Sequence, residues 1–424
     1  MAEFDVVVVG SGAGGMTTQP TAGEGSHGAL LEPPVLDGDP YSVENIQNPY
    51  PFFEELRETA AVVRLKPYGV YVTGRYEETK IVLNDHDRFM ASAGIGIADI
   101  RKPGKFRIPN RLLENDPPGH TEIRKTLNKI LSPLAVRRWR DHFETEAAIF
   151  ADKVVEMGEF DGVEDLAEAY ILHVFPEAVG VNLPRTEALA IGEMSFNQAG
   201  PYNDLFRAAE KKAEPYLEWY EKSVRREAMR PGSIGEMLFD AEERGEFEEG
   251  VASNICRAFV RGGTDTTIAG LGFALNQLAR NPDQWAILKS NPSKFARNAF
   301  EEAIRHESPS YVNYRTTRRE TELSGYRLDA DTKIGIFSGC ANRDPRFWEN
   351  PEKYDITRDI AGIHVAFGHG THTCIGQMIA RLEADCILRA FAERAVTLEP
   401  AGEPRYRIIN QLHTLDYLPL KVTA

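Results

Sequence analysis

The stretch FGHGTHTCIG, residues 367–376, places one cysteine in a glycine-rich loop. A helical pattern, QMIARLEA, follows directly over residues 377–384. Gly368 and Gly370 permit a tight loop that a flat ligand can approach closely. A cysteine at the start of a helix lies beside free backbone N–H groups and the positive end of the helix dipole, so we expect the pKa of Cys374 to fall. A stabilised thiolate in an aromatic, glycine-rich pocket is a suitable axial ligand for haem iron.

Two other interpretations of this loop also fit the residues. A single cysteine in a folded protein is most often a small hydrophobic side chain. His369, His372 and Cys374 together suggest a zinc site, although a fourth ligand at finger-like spacing is missing. The loop alone therefore does not decide between a structural and a functional cysteine.

The composition limits the classes of protein to which the chain can belong. It has 424 residues, of which 42% are hydrophobic, and its 64 acidic and 49 basic residues give a net charge of −15. That charge argues against a nucleic-acid-binding surface. No apolar run reaches the roughly 18 residues of a membrane helix, and the four cysteines show no paired spacing. We therefore expect a cytoplasmic protein with reduced thiols and no nucleic-acid or membrane partner.

A long helical pattern between about residues 248 and 280 is interrupted by GGTDTT, residues 262–267. Glycine and threonine are poor helix formers. Glycine also leaves room for a ligand, and a threonine hydroxyl can bond back to a carbonyl group and open the turn. The run predicts either a flexible kink or a groove that a ligand approaches.

Two further runs place charged side chains on one face of a helix. In DPPGHTEIR, residues 116–124, the spacing of four brings His120 and Arg124 together. In EAIR, the spacing of three does the same for Glu302 and Arg305. Taken alone, each pair is compatible with an ordinary exposed surface pair.

The first residues resemble the opening of a dinucleotide-binding fold. FDVVVVGSGAGG, residues 4–15, reads as a strand that runs into G-x-G-x-x-G. That fingerprint requires a helix next, but MTTQP and a Gly/Ser/Thr-rich tract follow. We expect residues 1–38 to be a disordered leader that contains a Rossmann-like fragment without function, and residues 39–424 to be a single domain. A flavin or nicotinamide oxidoreductase that uses residues 1–15 is the alternative.

Taken in order, these runs resemble the signatures of the bacterial cytochrome P450 family. HVAFGHGTHTCIG, residues 364–376, is similar to the haem-thiolate loop almost letter for letter, and GGTDTT is similar to the oxygen-binding groove. The resemblance covers residues 39–424. It implies a mainly α fold with a smaller β region, a helix-rich triangular prism with haem between the oxygen helix and the cysteine-loop helix.

The resemblance also implies roles for individual residues. It implies haem b as cofactor, dioxygen as co-substrate, Cys374 as the iron ligand and Phe367 beside the sulfur, in a loop shaped by Gly368 and Gly376. The implied propionate ligands are His120, Arg124, Arg315 and His372. Asp265 and Thr266 are the implied pair that delivers the two protons needed to split dioxygen. A buried structural trio is implied for Glu302, Arg305 and Arg358.

The expected partners follow from what the sequence carries. It shows no flavin module, and its scattered cysteines do not suit an iron–sulfur cluster. We therefore expect electrons to come from a separate ferredoxin and its reductase, with docking on the Cys374 side. We also expect a monomer.

Several runs resemble the branch of the family that oxidises para-substituted benzoic acids. They are Asn197 with Gly200 and Pro201, RNAFEEA at 297–303, YDITR at 354–358, and Arg257 eight residues before Asp265. The branch implies O-demethylation or hydroxylation at the para position of a small aromatic acid. The candidate substrate contacts are Ser92, Phe196, Arg257, Val260, Arg261 and Tyr314.

The chain departs from that branch where the substrate carboxylate is held. The loop MASAGIGIA, residues 90–98, contains no arginine, and Ala258 stands where a hydroxyl would help. A carboxylate buried without a donor is costly, so either Arg257 or Arg261 must supply one. A neutral methoxyphenol, resembling guaiacol or syringol, is therefore the alternative substrate.

Two other functions are compatible with haem binding. One is a peroxide-driven haem enzyme, and the other is a non-enzymatic haem sensor. Neither needs a proton-delivery pair, so the pair Asp265 and Thr266 argues against both.

Overall fold

A computed structural model describes residues 30–103 and 109–424 of the chain. The dinucleotide-binding fragment predicted at residues 4–15 lies outside the described residues. The described part is mainly α with a smaller β region, as expected.

The helices account for most of the regular structure. In chain order they are α1 Val43–Gln47, α2 Tyr50–Thr59, α3 Tyr76–Asn84, α4 Gly119–Ile130, α5 Pro133–Val136, α6 Arg140–Met157, α7 Ala169–Val179, α8 Arg185–Ala199, α9 Asp204–Ala213, α10 Leu217–Ser223, α11 Ile234–Glu243, α12 Val251–Gly262, α13 Asp265–Arg280, α14 Pro282–Ser290, α15 Pro292–Glu307, α16 Ser338–Ala341 and α17 Gln377–Arg394. Short 3-10 turns cover Arg137–Trp139, Glu214–Tyr216, Arg226–Ala228 and Gly370–His372, and a π-helical turn covers Gly162–Glu168.

The strands form one larger and three small sheets. They are β1 Val35–Leu36, β2 Val63–Leu65, β3 Val70–Thr73, β4 Phe89–Met90, β5 Glu159–Asp161, β6 Asn313–Thr317, β7 Thr321–Leu323, β8 Tyr326–Leu328, β9 Lys333–Ile336, β10 Thr397–Pro400, β11 Arg405–Tyr406, β12 Leu415–Tyr417 and β13 Pro419–Thr423. The larger sheet has the order β1-β2-β3-β9-β6-β4, and the others are β10-β13-β5, β11-β12 and β7-β8.

The main core lies among the helices. Side chains of α6, α7, α8, α11 to α15 and α17 contribute to one cluster of buried apolar residues. Most residues of α13 are buried, so this helix passes through the core. A second cluster covers one face of the larger sheet and packs it against α2.

The helix predicted across residues 248–280 is divided into α12 and α13 at Gly263 and Thr264. A Cβ atom on Gly263 would lie 2.1 Å from the ring of Phe175, so a side chain here would collide with α7. The interruption predicted from GGTDTT therefore exists, and its glycine has a packing reason as well as a conformational one.

The expected start of the folded domain at residue 39 is wrong. Val35 and Leu36 form β1, which pairs in parallel with β2, and Leu36 is buried. Leu31 forms a bridge with Tyr326 through two backbone hydrogen bonds, from Leu31 N to Gly325 O and from Arg327 N to Leu31 O. These backbone hydrogen bonds to segments distant in the sequence place residues 31–36 in the folded unit.

In the described ranges, no helix combines the length and the apolar character that crossing a membrane requires.

Candidate active site

The cysteine loop is a tight turn that ends at the N-terminus of α17. The amide of Cys374 donates a hydrogen bond of 2.8 Å to the carbonyl of Phe367, which closes the loop. Gly368 and Gly370 have φ angles of 72° and 70°, a region that favours glycine. A Cβ atom on Gly370 would also lie 3.0 Å from the Cα atom of Asn84 on α3. Both glycines therefore permit the turn, and Gly370 also lets the loop approach α3 closely.

The environment of the sulfur contains opposing effects. Burial raises the pKa of Cys374 above its ordinary value, while the amides of Gly376 and Gln377 and the guanidinium groups of Arg124 and Arg381 lower it. Burial has the larger effect, so the expectation that the pKa of the free thiol falls is wrong. The groups expected to favour a thiolate are present, and a metal ion bound at the sulfur would favour it further.

Four nitrogen-bearing side chains from three separate segments meet near the loop: two from α4, one from β6 and one from the loop itself. The rings of His120 on α4 and His372 lie 4.2 Å apart. Neither ring nitrogen of either histidine has a hydrogen-bond partner among the described residues. Arg315 on β6 is 4% exposed and donates to the carbonyl of Tyr314, and Arg124 donates to the carbonyl of Thr373 at 2.7 Å.

The pKa values of these groups move in one direction. Burial is the first cause for each, and neighbouring cations add to it at the histidines. The pKa falls to about 4 for His120, to about 3 for His372 and to about 10 for Arg315. Grouped buried cations and unpaired imidazole nitrogens suit an anionic ligand.

These residues fit haem. A flat ligand with two carboxylates would use the nitrogens of His120, His372, Arg124 and Arg315, and its iron would take the sulfur of Cys374. The zinc interpretation has no such support, because the described residues contain no group of three or more His, Cys, Asp or Glu side chains that could hold a metal ion. All four cysteines of the chain are free.

Asp265 and Thr266 lie directly after the break between α12 and α13. The hydroxyl of Thr266 donates to the carbonyl of Gly262 at 2.7 Å, the back-bonding predicted for a threonine at this position. The side chain of Asp265 is 2% exposed, and burial raises its pKa to about 6. A carboxyl group that titrates near neutral pH can both receive and release protons.

The predicted trio of charged residues lies together. Glu302 accepts two hydrogen bonds from Arg305, at 2.7 and 2.8 Å, and Arg358 lies 3.2 Å from the same carboxylate. Glu302 and Arg305 are fully buried, and Arg305 also donates to the carbonyls of Asn342 and Pro351.

A second buried network beside this trio was not found from the sequence. Glu301, next to Glu302, accepts a hydrogen bond of 2.7 Å from His364 and pairs with Arg381 on α17. The guanidinium of Arg381 in turn lies 4.6 Å from the ring centre of Phe367. Burial raises the pKa of Glu301, but the hydrogen bonds from His364 and Arg381 outweigh it and hold that pKa down, at about 2. In the sequence, the only indication of this network is the pair of adjacent glutamates on one helix. Two adjacent side chains on a helix can point in different directions.

Three of the six predicted substrate contacts are engaged elsewhere. The guanidinium of Arg257 pairs with both carboxylate oxygens of Glu221, and the hydroxyl of Ser92 donates to Asp116 at 2.6 Å. Tyr314 is buried in the core of the larger sheet, with its hydroxyl 2.7 Å from that of Tyr41. We therefore do not retain these three as substrate contacts.

The other three lie on the helices that flank the groove. Arg261 and Val260 are on α12, and Phe196 is on α8. Arg261 donates from Nε to the hydroxyl of Ser195 at 2.8 Å, which ties α12 to α8. Val260 is buried in the helical core and Phe196 is half-buried.

Comparison with known proteins agrees with this geometry. A profile of the family described as Cytochrome P450 matches residues 197–395. Cytochrome p450 CYP199A2 of Rhodopseudomonas palustris is 40% identical over 414 residues, which cover 96% of this chain and 100% of that protein. The Biotin biosynthesis cytochrome P450 of Bacillus subtilis is 26% identical over 89% of this chain and 97% of its own length.

A solved structure extends the comparison to the fold. Cytochrome P450 CYP109Q5 from Chondromyces apiculatus superposes with a TM-score of 0.76 at 27% identity, covering 92% of this chain and 98% of that one. Sequence, fold and the arrangement around Cys374 agree. The chain belongs to the cytochrome P450 family of haem-dependent monooxygenases, which use haem b and dioxygen.

Proposed function

We propose that this monooxygenase oxidises a small para-substituted aromatic acid, by O-demethylation of a methoxy group or by hydroxylation. The sequence runs that resemble the benzoate-oxidising branch support this proposal, as does the 40% identity to CYP199A2 along nearly the whole chain. Because the chain departs from that branch at the carboxylate-binding loop, the proposal depends on which residue binds the substrate carboxylate.

The observation that carries the proposal is the position of Arg261. It directly precedes Gly262, whose carbonyl accepts the hydroxyl hydrogen of Thr266. Its Nε group contacts Ser195, next to Phe196 on the facing helix. A guanidinium presents five N–H donors in a planar fork that matches a carboxylate. Arg261 therefore takes the anchoring role for which Arg257 is unsuited by its pair with Glu221.

The residues of the groove have different roles in the proposed reaction. When bound, haem iron activates dioxygen with two electrons, so that one oxygen atom enters a C–H bond and the other leaves as water. Thr266 presents a hydroxyl at the break of the oxygen helix, and Asp265 supplies protons to that side. An oxidised methoxy group is a hemiacetal, which collapses to a phenol and formaldehyde.

A neutral methoxyphenol is the second candidate, and one observation favours it. The described part of the loop after β4 commits its polar groups internally: Asp116 binds the amides of Ala91 and Ser92 as well as the Ser92 hydroxyl, and Lys333 binds the carbonyls of Ala93 and Gly94. With its polar groups bound in this way, the described part of the loop does not provide an anchor for a substrate carboxylate. Peroxide-driven turnover is less favoured, because the pair Asp265 and Thr266 is complete.

A spectral titration of the ferric protein separates the two substrates. We would add 4-methoxybenzoate, 4-ethylbenzoate, guaiacol and syringol to wild type, Arg261→Gln and, as the matched control, Arg257→Gln. We expect the benzoates to give the blue shift of the Soret band in wild type. Arg261→Gln should weaken their binding by about 10- to 100-fold, since it removes hydrogen bonds to a charged group. Arg257→Gln should bind them as wild type does.

A shift with guaiacol and syringol alone would replace the benzoates by neutral phenols as the substrate class. Equal benzoate binding by wild type and Arg261→Gln would remove Arg261 from the site.

We also propose that a ferredoxin docks beside α4 and α5. Residues 121–140 carry six basic residues and one acidic residue in a chain of net charge −15. Lys125, Lys129, Arg137 and Arg138 are exposed there, as is Leu134. Helix α4 also carries Arg124, which contacts the residue before Cys374. A basic surface with one apolar side chain suits an acidic redox protein.

Charge reversal on this surface tests the docking site. In Lys125→Glu combined with Arg138→Glu, the KM for reduced ferredoxin should rise and its dependence on salt should weaken. Lys421→Glu, on the exposed side of β13, is the control. An unchanged KM in the double variant would place the docking surface elsewhere.

A further inference from the structure

A polar cleft leads from the protein surface to the carboxyl group of Asp265. It has a volume of about 790 Å³ and lies between α8, α13 and the segment 405–417 near the C-terminus. Its charged lining residues include Glu168, Arg185, Glu193, Lys212, Asp265 and Arg407. The cleft thus reaches the buried acid of the oxygen groove from the outside of the helix.

The charges along the cleft alternate and become steadily more buried. Lys212 Nζ lies 2.6 Å from Glu193 Oε2, and Arg407 Nη2 lies 3.2 Å from the same oxygen. Arg407 Nη1 lies 3.9 Å from Asp265 Oδ1. The exposed fraction of the side chains falls from 55% at Lys212 to 22% at Glu193, 19% at Arg407 and 2% at Asp265. The chain of contacts therefore joins bulk solvent to Asp265.

Packing fixes the carboxyl group at the inner end of this chain. A Cβ atom on Gly192 of α8 would lie 1.9 Å from Asp265 Oδ2, so the carboxyl group rests directly against the backbone of α8. The hydroxyl of Thr264 lies 3.5 Å from the same oxygen. Any side chain at residue 192 would push Asp265 away, so the contact depends on glycine.

We propose that the protons consumed by the reaction enter through this cleft, and that Arg407 is the positioning residue that holds Asp265 beside Glu193. A guanidinium does not release its proton in proteins. The proton carriers are therefore the two carboxyl groups and the water of the cleft, and Arg407 keeps both within its reach. Each proton that leaves Asp265 is replaced from solvent through Glu193, so the carboxyl group is unchanged over a cycle.

The protonation of Asp265 agrees with this arrangement. Burial raises its pKa to about 6, Arg407 lowers it, and Glu168 and Glu193 raise it. Arg185 pairs with Glu168, and Lys212 pairs with Glu193, so both acids face a second cation. Removing the cation of Arg407 should raise the pKa of Asp265, and removing the charge of Glu193 should lower it.

Infrared titration of the haem-loaded ferric protein tests the proposal without a substrate. The protonated carboxyl band that disappears in Asp265→Asn belongs to Asp265. Glu383, whose pKa burial holds well above its ordinary range, provides a constant reference band. In Arg407→Gln the midpoint of the Asp265 band should rise by about one pH unit. In Glu193→Gln it should fall, and Arg407→Lys should restore it toward wild type.

Arg405→Gln is the matched control, because this arginine lies two residues away and faces Asp416 at 3.7 Å instead. Its midpoint should equal that of wild type. The pH profile of oxygen consumption by the ferredoxin-reduced enzyme, which requires no assigned substrate, should move in parallel with the band. An unchanged midpoint in both Arg407→Gln and Glu193→Gln, or an equal shift in Arg405→Gln, would overturn the proposal. Unaltered pH profiles despite shifted midpoints would exclude the cleft as the route of protons.

Discussion

At the scale of single residues, the burial of Asp265 makes the stability of the protein depend on pH. Its side chain is almost fully buried, and its pKa rises from 3.8 to about 6. The folded state therefore holds a proton that the unfolded chain loses at lower pH. The stability from this group is fully present below about pH 3.8 and is lost as the pH rises through about 6. Above that pH the chain must bury an ionised carboxylate.

Asp265→Asn should relieve this cost. The free energy of unfolding of the variant, relative to wild type, should increase by about 1 kcal/mol between about pH 5 and pH 7.5, because wild type loses stability in that window. Denaturant unfolding of both proteins at the two pH values measures the difference, and contributions from all other titrating groups cancel. A difference independent of pH would show that Asp265 is ionised in the fold throughout this range.

The same residue scale shows what a sequence can and cannot predict. Motif spacing predicted the meeting of His120 with Arg124, and of Glu302 with Arg305, because both members lie on one helix. It failed for Arg257, Ser92 and Tyr314, whose partners Glu221, Asp116 and Tyr41 come from other segments. A side chain that looks available in sequence is often committed by a partner that only folding brings near. Arg407 was missed for the same reason.

At the scale of elements, α15 ties the helical core to the cysteine loop. One face of it carries Glu302 and Arg305, which reach the segment before the loop through Arg358 and three backbone carbonyls. The neighbouring Glu301 reaches the loop itself through His364. The helix thus helps to position the cysteine loop through these side chains.

Breaking the first of these networks should be strongly destabilising. Glu302→Ala leaves the fully buried guanidinium of Arg305 without its carboxylate, so we expect a loss of about 3–5 kcal/mol in the free energy of unfolding. Asp204→Ala, which breaks an exposed pair with Arg207 at the same spacing of three, should cost less than about 1 kcal/mol. Similar losses in the two variants would show that burial does not control the strength of these pairs.

Element boundaries were easier to predict where the residues have special backbone properties. The break after Gly262 follows from glycine and threonine, which disfavour helix wherever they stand. The network at Glu301 had no comparable signal, because two adjacent glutamates are common on exposed helices. The clash between a Cβ at residue 263 and Phe175 also depends on a neighbouring helix that the local sequence does not reveal.

At the scale of the whole molecule, the N-terminal boundary of the folded unit could be located from the structure but not from the sequence. The sequence before residue 39 has no apolar periodicity, yet β1 completes one edge of the larger sheet. Two-residue strands leave almost no pattern to read, since their pairing is decided by the strand they join. Fold class, by contrast, followed from motifs spread over most of the chain, and the same motifs predicted the candidate site.

Two truncations test this boundary. Deletion of residues 1–29 should leave haem content and the thermal unfolding midpoint unchanged, since we propose that the dinucleotide-like fragment has no function. Deletion of residues 1–38 should lower the midpoint, because it removes β1 and the contacts of Leu31 with Tyr326. Loss of a bound flavin in the shorter deletion would instead assign a function to residues 1–15.

We propose above all that Cys374 binds the haem iron, and the carbon-monoxide difference spectrum of the reduced protein tests this most directly. We predict that wild type shows the thiolate band for which the family is named. Cys374→Ser should lose this band, while Cys386→Ser, which alters a buried cysteine on the helix that follows the loop, α17, should keep it. A Cys374→Ser protein that binds haem and retains the thiolate band would contradict the account.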